Sequence, residues 1–366
     1  MIRIGVVTLH SNAITVERKH QIVYSASWLP RCCRLCEPTN SLFFILGIVK
    51  MVTNDTATPV ENPTARSFQI GPFVRRSLKI LLVAYTLVAV LLGFFQRKLL
   101  YHPRKAKPLQ VEADLALMKL YPDAKDVRLT CTDGTKIGAW LLTKAVGQKD
   151  APRPLIIYFH GNANNRASRA PWYEIFAAIQ ADVLAIDYPG YGDSEGTMTE
   201  GGMYQSCDAT WAYATEQLQY APSEIILAGT SLGGAAAVYT AAQQSNSATQ
   251  PAALVVTATF SSMVDVAASL YAWLPVSSIL VDRYPSADRI PNVKCPIVIL
   301  HGNADRLVYT KHGQALFDAA PAESESGQPK RWKTLDGIGH NGLVRLAGKQ
   351  IQQEFQTVID HLKQQR

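Results

Sequence analysis

From about residue 124 onward, continuous apolar runs alternate with helix-like stretches. Leu155-Ile156-Ile157-Tyr158-Phe159, Val183–Ile186, Ile225–Ala228, Ala253–Val256 and Pro296–Leu300 are short and almost uninterrupted. Strands buried on both faces read this way, whereas half-exposed strands alternate apolar and polar residues. Between them, Ala170–Gln180, Tyr204–Gln217, Ala235–Gln244, Gly313–Ala319 and Lys349–Lys363 carry helical patterns. Such alternation implies an α/β fold: a mostly parallel central sheet with helices on both faces. Upstream, Val127–Cys131 and Lys136–Leu142 flank Asp133-Gly134, a hairpin signal. No internal repeat is visible. Ligand sites in sheets of this kind lie beyond the carboxyl ends of the strands.

One strand end carries a specific signal. Gly229-Thr230-Ser231-Leu232-Gly233 is a G-x-S-x-G pentapeptide between the Ile225–Ala228 strand and a small-residue helical run. A serine perched on a tight strand-to-helix turn exposes its hydroxyl, and glycines leave room for the close backbone approach. A hydroxyl is a poor nucleophile near neutral pH. It needs a base, and the base needs a third group that fixes its tautomer.

The chain has eight histidines. His340, in Gly337-Ile338-Gly339-His340-Asn341 after the Trp332–Leu335 strand pattern, is the best base. His160 and His301 each end a strand before a glycine, and His102 lies just past an apolar segment. His312 and His361 fall in helical patterns and are expected at the surface. Asp305, a short loop after Pro296–Leu300, is the expected acid, with Asp187 and Asp282 as rivals. The order Ser231, Asp305, His340 is that of one large class of serine hydrolases. Acyl transfer also needs donors aimed at the developing oxyanion. Leu232 offers a backbone N–H beside the nucleophile. The loop His160-Gly161-Asn162-Ala163-Asn164-Asn165 supplies the second donor, Asn162 being preferred and Ala163 the competitor.

Together, Phe159–Ala163, Asp187-Tyr188-Pro189-Gly190-Tyr191-Gly192, Gly229–Gly233, His301–Asp305 and Gly339-His340 resemble an α/β-hydrolase. With Leu99–Pro103 after an apolar segment, the chain is most similar to a membrane-anchored branch containing depalmitoylating thioesterases and S33-type serine hydrolases. The resemblance covers roughly residues 97–363. It implies an α/β-hydrolase fold with a small lid at about residues 260–290, where Leu270-Tyr271-Ala272-Trp273-Leu274-Pro275 lies.

The first hundred residues read differently. Ile80–Phe95 is a charge-free run of sixteen residues, about 24 Å as a helix, slightly short of a bilayer core. Lys79 and Arg97 are expected to extend it by snorkelling, and Tyr101 to sit at the interface. The expected organisation is an N-terminal extension over 1–75, a single-pass anchor over 76–98 and a catalytic domain over 99–366. Basic residues flank both ends of the anchor. Arg75, Arg76 and Lys79 on the leading side favour a catalytic domain outside the cytoplasm. Residues 1–50 are cysteine-rich and patternless, so translation is expected to start at Met51. Cys33-x-x-Cys36 has no companion pair and is not read as a metal site.

Bulk properties narrow the classes. The hydrophobic share of 48% and charged share of 18% suit a folded chain. The net charge of +7 is concentrated at the N-terminus, where Arg3, Arg18, Lys19, Arg31, Arg34 and Lys50 face only Glu17 and Glu37. No basic run interleaved with aromatics suggests nucleic acid. The expectation is a serine hydrolase acting on a small-molecule or lipid-like ester or thioester with a hydrophobic acyl group, needing no metal or cofactor. The alternatives are an S33-type aminopeptidase, with Asp265 and Asp282 as available acidic residues, and a non-enzymatic binding protein of the same fold.

Overall fold

The computed structural model describes residues 71–106, 108–143, 153–245 and 250–364, and the backbone of 7–10 and 13–16. The expected start at Met51, the Cys33-x-x-Cys36 pair and most of the 1–75 extension lie outside these residues. Residues 1–86 and 87–366 form two compact units. In the first, Val7–His10 pairs antiparallel with Ala13–Val16. The long helix α1, Pro72–Leu100, begins there and runs into the second unit. Its 29 residues make it long and apolar enough to cross a membrane, and none of them is buried.

The second unit is built on eight strands: β1 (Lys125–Thr130), β2 (Lys136–Leu142), β3 (Leu155–Phe159), β4 (Asp182–Ile186), β5 (Ile225–Thr230), β6 (Ala253–Thr257), β7 (Ile297–Gly302) and β8 (Arg331–Leu335). They form one sheet in the order β8-β7-β6-β5-β3-β4-β2-β1. β1 and β2 are antiparallel, β2 is antiparallel to β4, and every other pairing is parallel. The β1–β2 hairpin turns at Asp133-Gly134 as expected, with Gly134 at φ +86°.

Burial explains the unbroken apolar runs. In β3 every residue is buried, and successive side chains go to opposite faces. Leu155, Ile157 and Phe159 join the core beneath α4 (Glu200–Ala212), α5 (Leu232–Gln244) and α9 (Thr310–Ala319). Ile156 and Tyr158 join the core beneath α3 (Ala170–Ala178) and α10 (Leu343–Gln364), with α2 (Leu115–Leu120) contributing Leu117. β1 is an edge strand and alternates instead.

Several boundaries and placements differ from expectation. β5 and β7 each run two residues further, so His301 and Gly302 lie inside β7. α5 begins at Leu232 rather than Ala235, immediately after the serine. His312 is buried, because α9 turns His312, Gly313 and Leu316 inward against β7. Gly313 lies so close to the His301 ring that a Cβ there would sit 2.2 Å from Nδ1. Tyr101 is buried rather than interfacial, because its hydroxyl donates to the Asp282 carboxylate at 3.0 Å. Between β6 and β7 lie three short helices, α6 (Met263–Leu270), α7 (Val276–Ile279) and α8 (Ser286–Arg289). Cys131, Cys207 and Cys295 are buried free thiols.

Candidate active site

The parallel register brings the carboxyl ends of β3, β5, β7 and β8 together. Ser231 follows β5 at φ 54° and ψ −120°, a left-handed conformation that a non-glycine residue adopts only under strain. Its N–H donates to Thr257 O at 2.9 Å, and its carbonyl accepts from Thr259 Oγ1 at 2.9 Å. The flanking glycines are sterically required. A Cβ on Gly229 would lie 2.2 Å from Gly233 O, and one on Gly233 would lie 2.0 Å from Phe159 O. Ser231 occupies the N-cap of α5 without capping it by its side chain, so Oγ is available elsewhere.

That Oγ lies 3.0 Å from His340 Nε2. His340 Nδ1 lies 2.7 Å from Asp305 Oδ2. An ionised carboxylate only accepts hydrogen bonds, so Nδ1 carries the proton and Nε2 is the acceptor for the serine hydroxyl. Burial alone would raise the Asp305 carboxyl. Hydrogen bonds from His301 and His340, and the Val308 N–H, outweigh it and hold Asp305 well below the usual carboxylate range. Burial and the neighbouring Lys311 push His312 down.

The rival acids are engaged elsewhere. Asp187 accepts from Arg166 N at 2.8 Å and from Arg166 Nη1 at 2.6 Å, and lies 3.1 Å from His160 Nε2. Asp282 is paired with Arg97. Neither reaches His340.

Beyond β3, Gly161 packs against the serine turn, where a Cβ would come 3.6 Å from Ser231 Cβ. The Asn162 side chain points away. Its amide donates to Leu100 O and lies 3.3 Å from His102 Nδ1, and Tyr191 Oη donates to Asn162 O at 2.7 Å. Among the described residues, the N–H groups of Leu232 and Asn162 have no backbone acceptor outside regular helices and strands. Ala163 lies in register with His102 in a short parallel pairing.

A cavity of about 910 Å³ opens over Ser231 and His340. It is roofed by α6, α7 and the segment between them, including Leu270, Tyr271, Trp273 and Leu274, and it extends to Leu92, Gln96, Leu99 and Leu100 of α1. Residues 263–280 form this roof, whereas Tyr284 and Ile290 return to the core. Among the described residues, no group of three His, Cys, Asp or Glu is placed to hold a metal.

Sequence reasoning missed the supporting groups: His301 beneath Asp305, Tyr191 bracing Asn162, and the end of α1 in the cavity wall. His301 and Tyr191 both stand in motifs that the sequence displays, but their partners are distant in the chain.

Residues 154–288 match the sequence pattern of the alpha/beta hydrolase fold. An uncharacterized protein of Mycobacterium tuberculosis is 32% identical over 254 residues, 69% of this chain and 83% of that protein. The lysophosphatidylserine lipase ABHD12 of Danio rerio is 30% identical over 223 residues, 53% of this chain and 58% of that protein. Among solved structures, the Pyrococcus furiosus esterase Pf2001 superposes with a TM-score of 0.53 at 16% identity, covering 71% of this chain and 98% of that one. The chain belongs to the α/β-hydrolase superfamily. Within it, the chain is similar to hydrolases that include a named lipase and a solved esterase.

Proposed function

We propose that the chain is a membrane-anchored serine hydrolase that cleaves an ester or thioester of a hydrophobic acyl group. The observation that carries this reading is the Ser231–His340–Asp305 chain of contacts, 3.0 and 2.7 Å, at the floor of an apolar cavity. Ser231 attacks the acyl carbonyl while His340 Nε2 takes its proton. Asp305 orients the ring and stabilises the imidazolium that forms. The backbone N–H groups of Leu232 and Asn162 receive the oxyanion. His340 then returns the proton to the leaving group, and water hydrolyses the acyl-enzyme by the same steps. No metal or cofactor takes part in this scheme. In this reading residues 99–366 are the catalytic domain, the lid expected at about 260–290 is the roof over 263–280, and residues 76–98 are the anchor behind a 1–75 extension.

An ester or thioester is favoured over a peptide. An aminopeptidase needs acidic groups facing its substrate amine. Asp265 accepts from Ser261 and Ser262 at 2.7 Å each, and Asp282 is paired with Arg97. Neither lines the cavity. A lipase among the relatives points the same way. Fluorophosphonate labelling of the purified protein tests the reading, with Ser231→Ala expected to abolish it. Labelling that persists in Ser231→Ala removes this serine as nucleophile, and folded wild type that never labels favours a binding protein. Hydrolysis of chromogenic amino-acid amides in preference to esters would favour the peptidase.

A further inference from the structure

Two roles can be imagined for the end of α1: a tether that holds the domain near a membrane, or a working part of the site. A tether needs no specific side-chain bonds to the domain. The last turns of α1 have several. Arg97 donates through Nε to Asp282 Oδ2 at 2.9 Å and through Nη2 to Oδ1 at 3.1 Å. Tyr101, just past the helix, donates to the same carboxylate. Gln96 clamps the backbone after α7, donating to Ile279 O at 3.2 Å and accepting from Val281 N at 2.7 Å. Gly93 sits where the roof touches the helix, and a Cβ there would lie 2.8 Å from Ile279 Cγ2.

The helix is therefore two-sided over its last turns. Ala89, Leu92, Gly93, Gln96 and Leu100 are half-buried, spaced as one helical face. Leu87, Val90, Leu91, Phe94 and Phe95 remain exposed on the other. A continuous exposed apolar face on a helix long enough to cross a bilayer is suited to lipid. Leu99 belongs to both environments: it is 57% exposed and lines the cavity above Ser231. Tyr271 and Trp273 at the roof edge are likewise half-exposed and line the same cavity. Exposed apolar side chains on the flank of α1 and at the roof edge thus continue into the lining of the cavity over the serine.

Resting on the hydrolase reading above, we propose that the end of α1 is a wall of the acyl site, and that the acyl chain of a bilayer-resident lipid ester reaches Ser231 along it. Arg97, Gln96 and Asp282 are positioning residues that hold this wall against the roof. Substrate selection then has two levels. The serine and its partners act on any ester that reaches them, while the α1–roof seam favours long chains already dissolved in a membrane.

The test uses the full chain reconstituted in phosphatidylcholine vesicles, with p-nitrophenyl palmitate in the vesicles and p-nitrophenyl acetate in the water. Gly93→Leu makes α1 more apolar, so insertion is retained, but it wedges the helix away from Ile279. The expected result is a fall of about tenfold or more in the ratio of palmitate to acetate hydrolysis. Gly93→Leu combined with Ile279→Ala should recover much of the palmitate rate. If palmitate hydrolysis is unchanged, or if both substrates fall together and the double variant recovers neither, α1 is no wall of the site. Wild-type protein that cleaves neither ester and takes no fluorophosphonate fails at the hydrolase reading itself, a result distinct from loss of palmitate selectivity alone.

Discussion

Asp305 divides its carboxylate between two tasks, with Oδ2 2.7 Å from His340 Nδ1 and Oδ1 accepting the N–H groups of Leu307 and Val308 at 2.9 Å each. The turn it closes is what fixes its side chain, so the acid of the proposed triad is positioned by its own loop. A turn aspartate and an orienting acid are usually alternative readings of such a residue. Here both hold.

Asp305→Asn follows directly. The amide can still accept from the turn, so the fold should survive. It can also present a donor to His340 Nδ1, which then carries no proton, leaving one on Nε2 where the serine hydroxyl needs an acceptor. The expected loss in kcat is about 10³- to 10⁴-fold, with KM little changed. Steady-state ester kinetics on folded protein check it. A loss below about tenfold would remove Asp305 from the mechanism.

Asp305 also gives stability a defined pH dependence. Its carboxyl is held below the ordinary value, so the folded state favours the ionised form. That contribution is complete above the unfolded carboxylate value of about 3.9 and is lost as pH falls through the lower folded value. The stability gap between wild type and Asp305→Asn should therefore be widest near neutrality and shrink in acid. Urea midpoints of both proteins at neutral and acidic pH measure it, and a gap that widens on acidification contradicts the sign.

The sheet was readable because its central strands are buried on both faces and appear as unbroken apolar runs. Ser231, Asp305 and His340 were readable because each follows a strand end within a glycine-bearing or tight loop. Other features depended on partners far along the chain. Arg97 looks like a snorkelling residue until Asp282, 185 positions away, is found beside it. His312 looks exposed because its helix carries Lys311 and a polar outer face, whereas His312, Gly313 and Leu316 are buried on the inner face of α9. Ile80–Phe95 has the same apolar composition whether a given face meets lipid or protein, so the lining of the cavity by Leu92, and by Gln96 and Leu99 just past the run, was invisible.

Gly233 is a sharper test of the serine turn than the serine itself. A methyl group there would lie 2.0 Å from Phe159 O, a backbone atom in the central strand that cannot move aside cheaply. Gly233→Ala should cost about 3 kcal/mol or more and remove fluorophosphonate labelling. Thermal unfolding with parallel labelling reports both. Wild-type stability in this variant would mean that the β5–α5 turn is not packed on β3 as described.

The Asn162 loop allows backbone and side-chain roles to be separated. The Asn162 amide is spent on Leu100 O and faces His102, so the proposed oxyanion donor is the main-chain N–H, which alanine retains. Asn162→Ala should loosen the loop and cost about tenfold in kcat. Loss of a direct oxyanion donor costs about 10² to 10³. Comparing kcat for acetate and octanoate esters extends the test, because loop loosening should affect both chain lengths alike. In the wild type, the apolar cavity predicts that kcat/KM rises from acetate to octanoate. A fall along that series would rule out a hydrophobic acyl substrate, and an Asn162→Ala loss near 10³ would place the amide itself at the oxyanion.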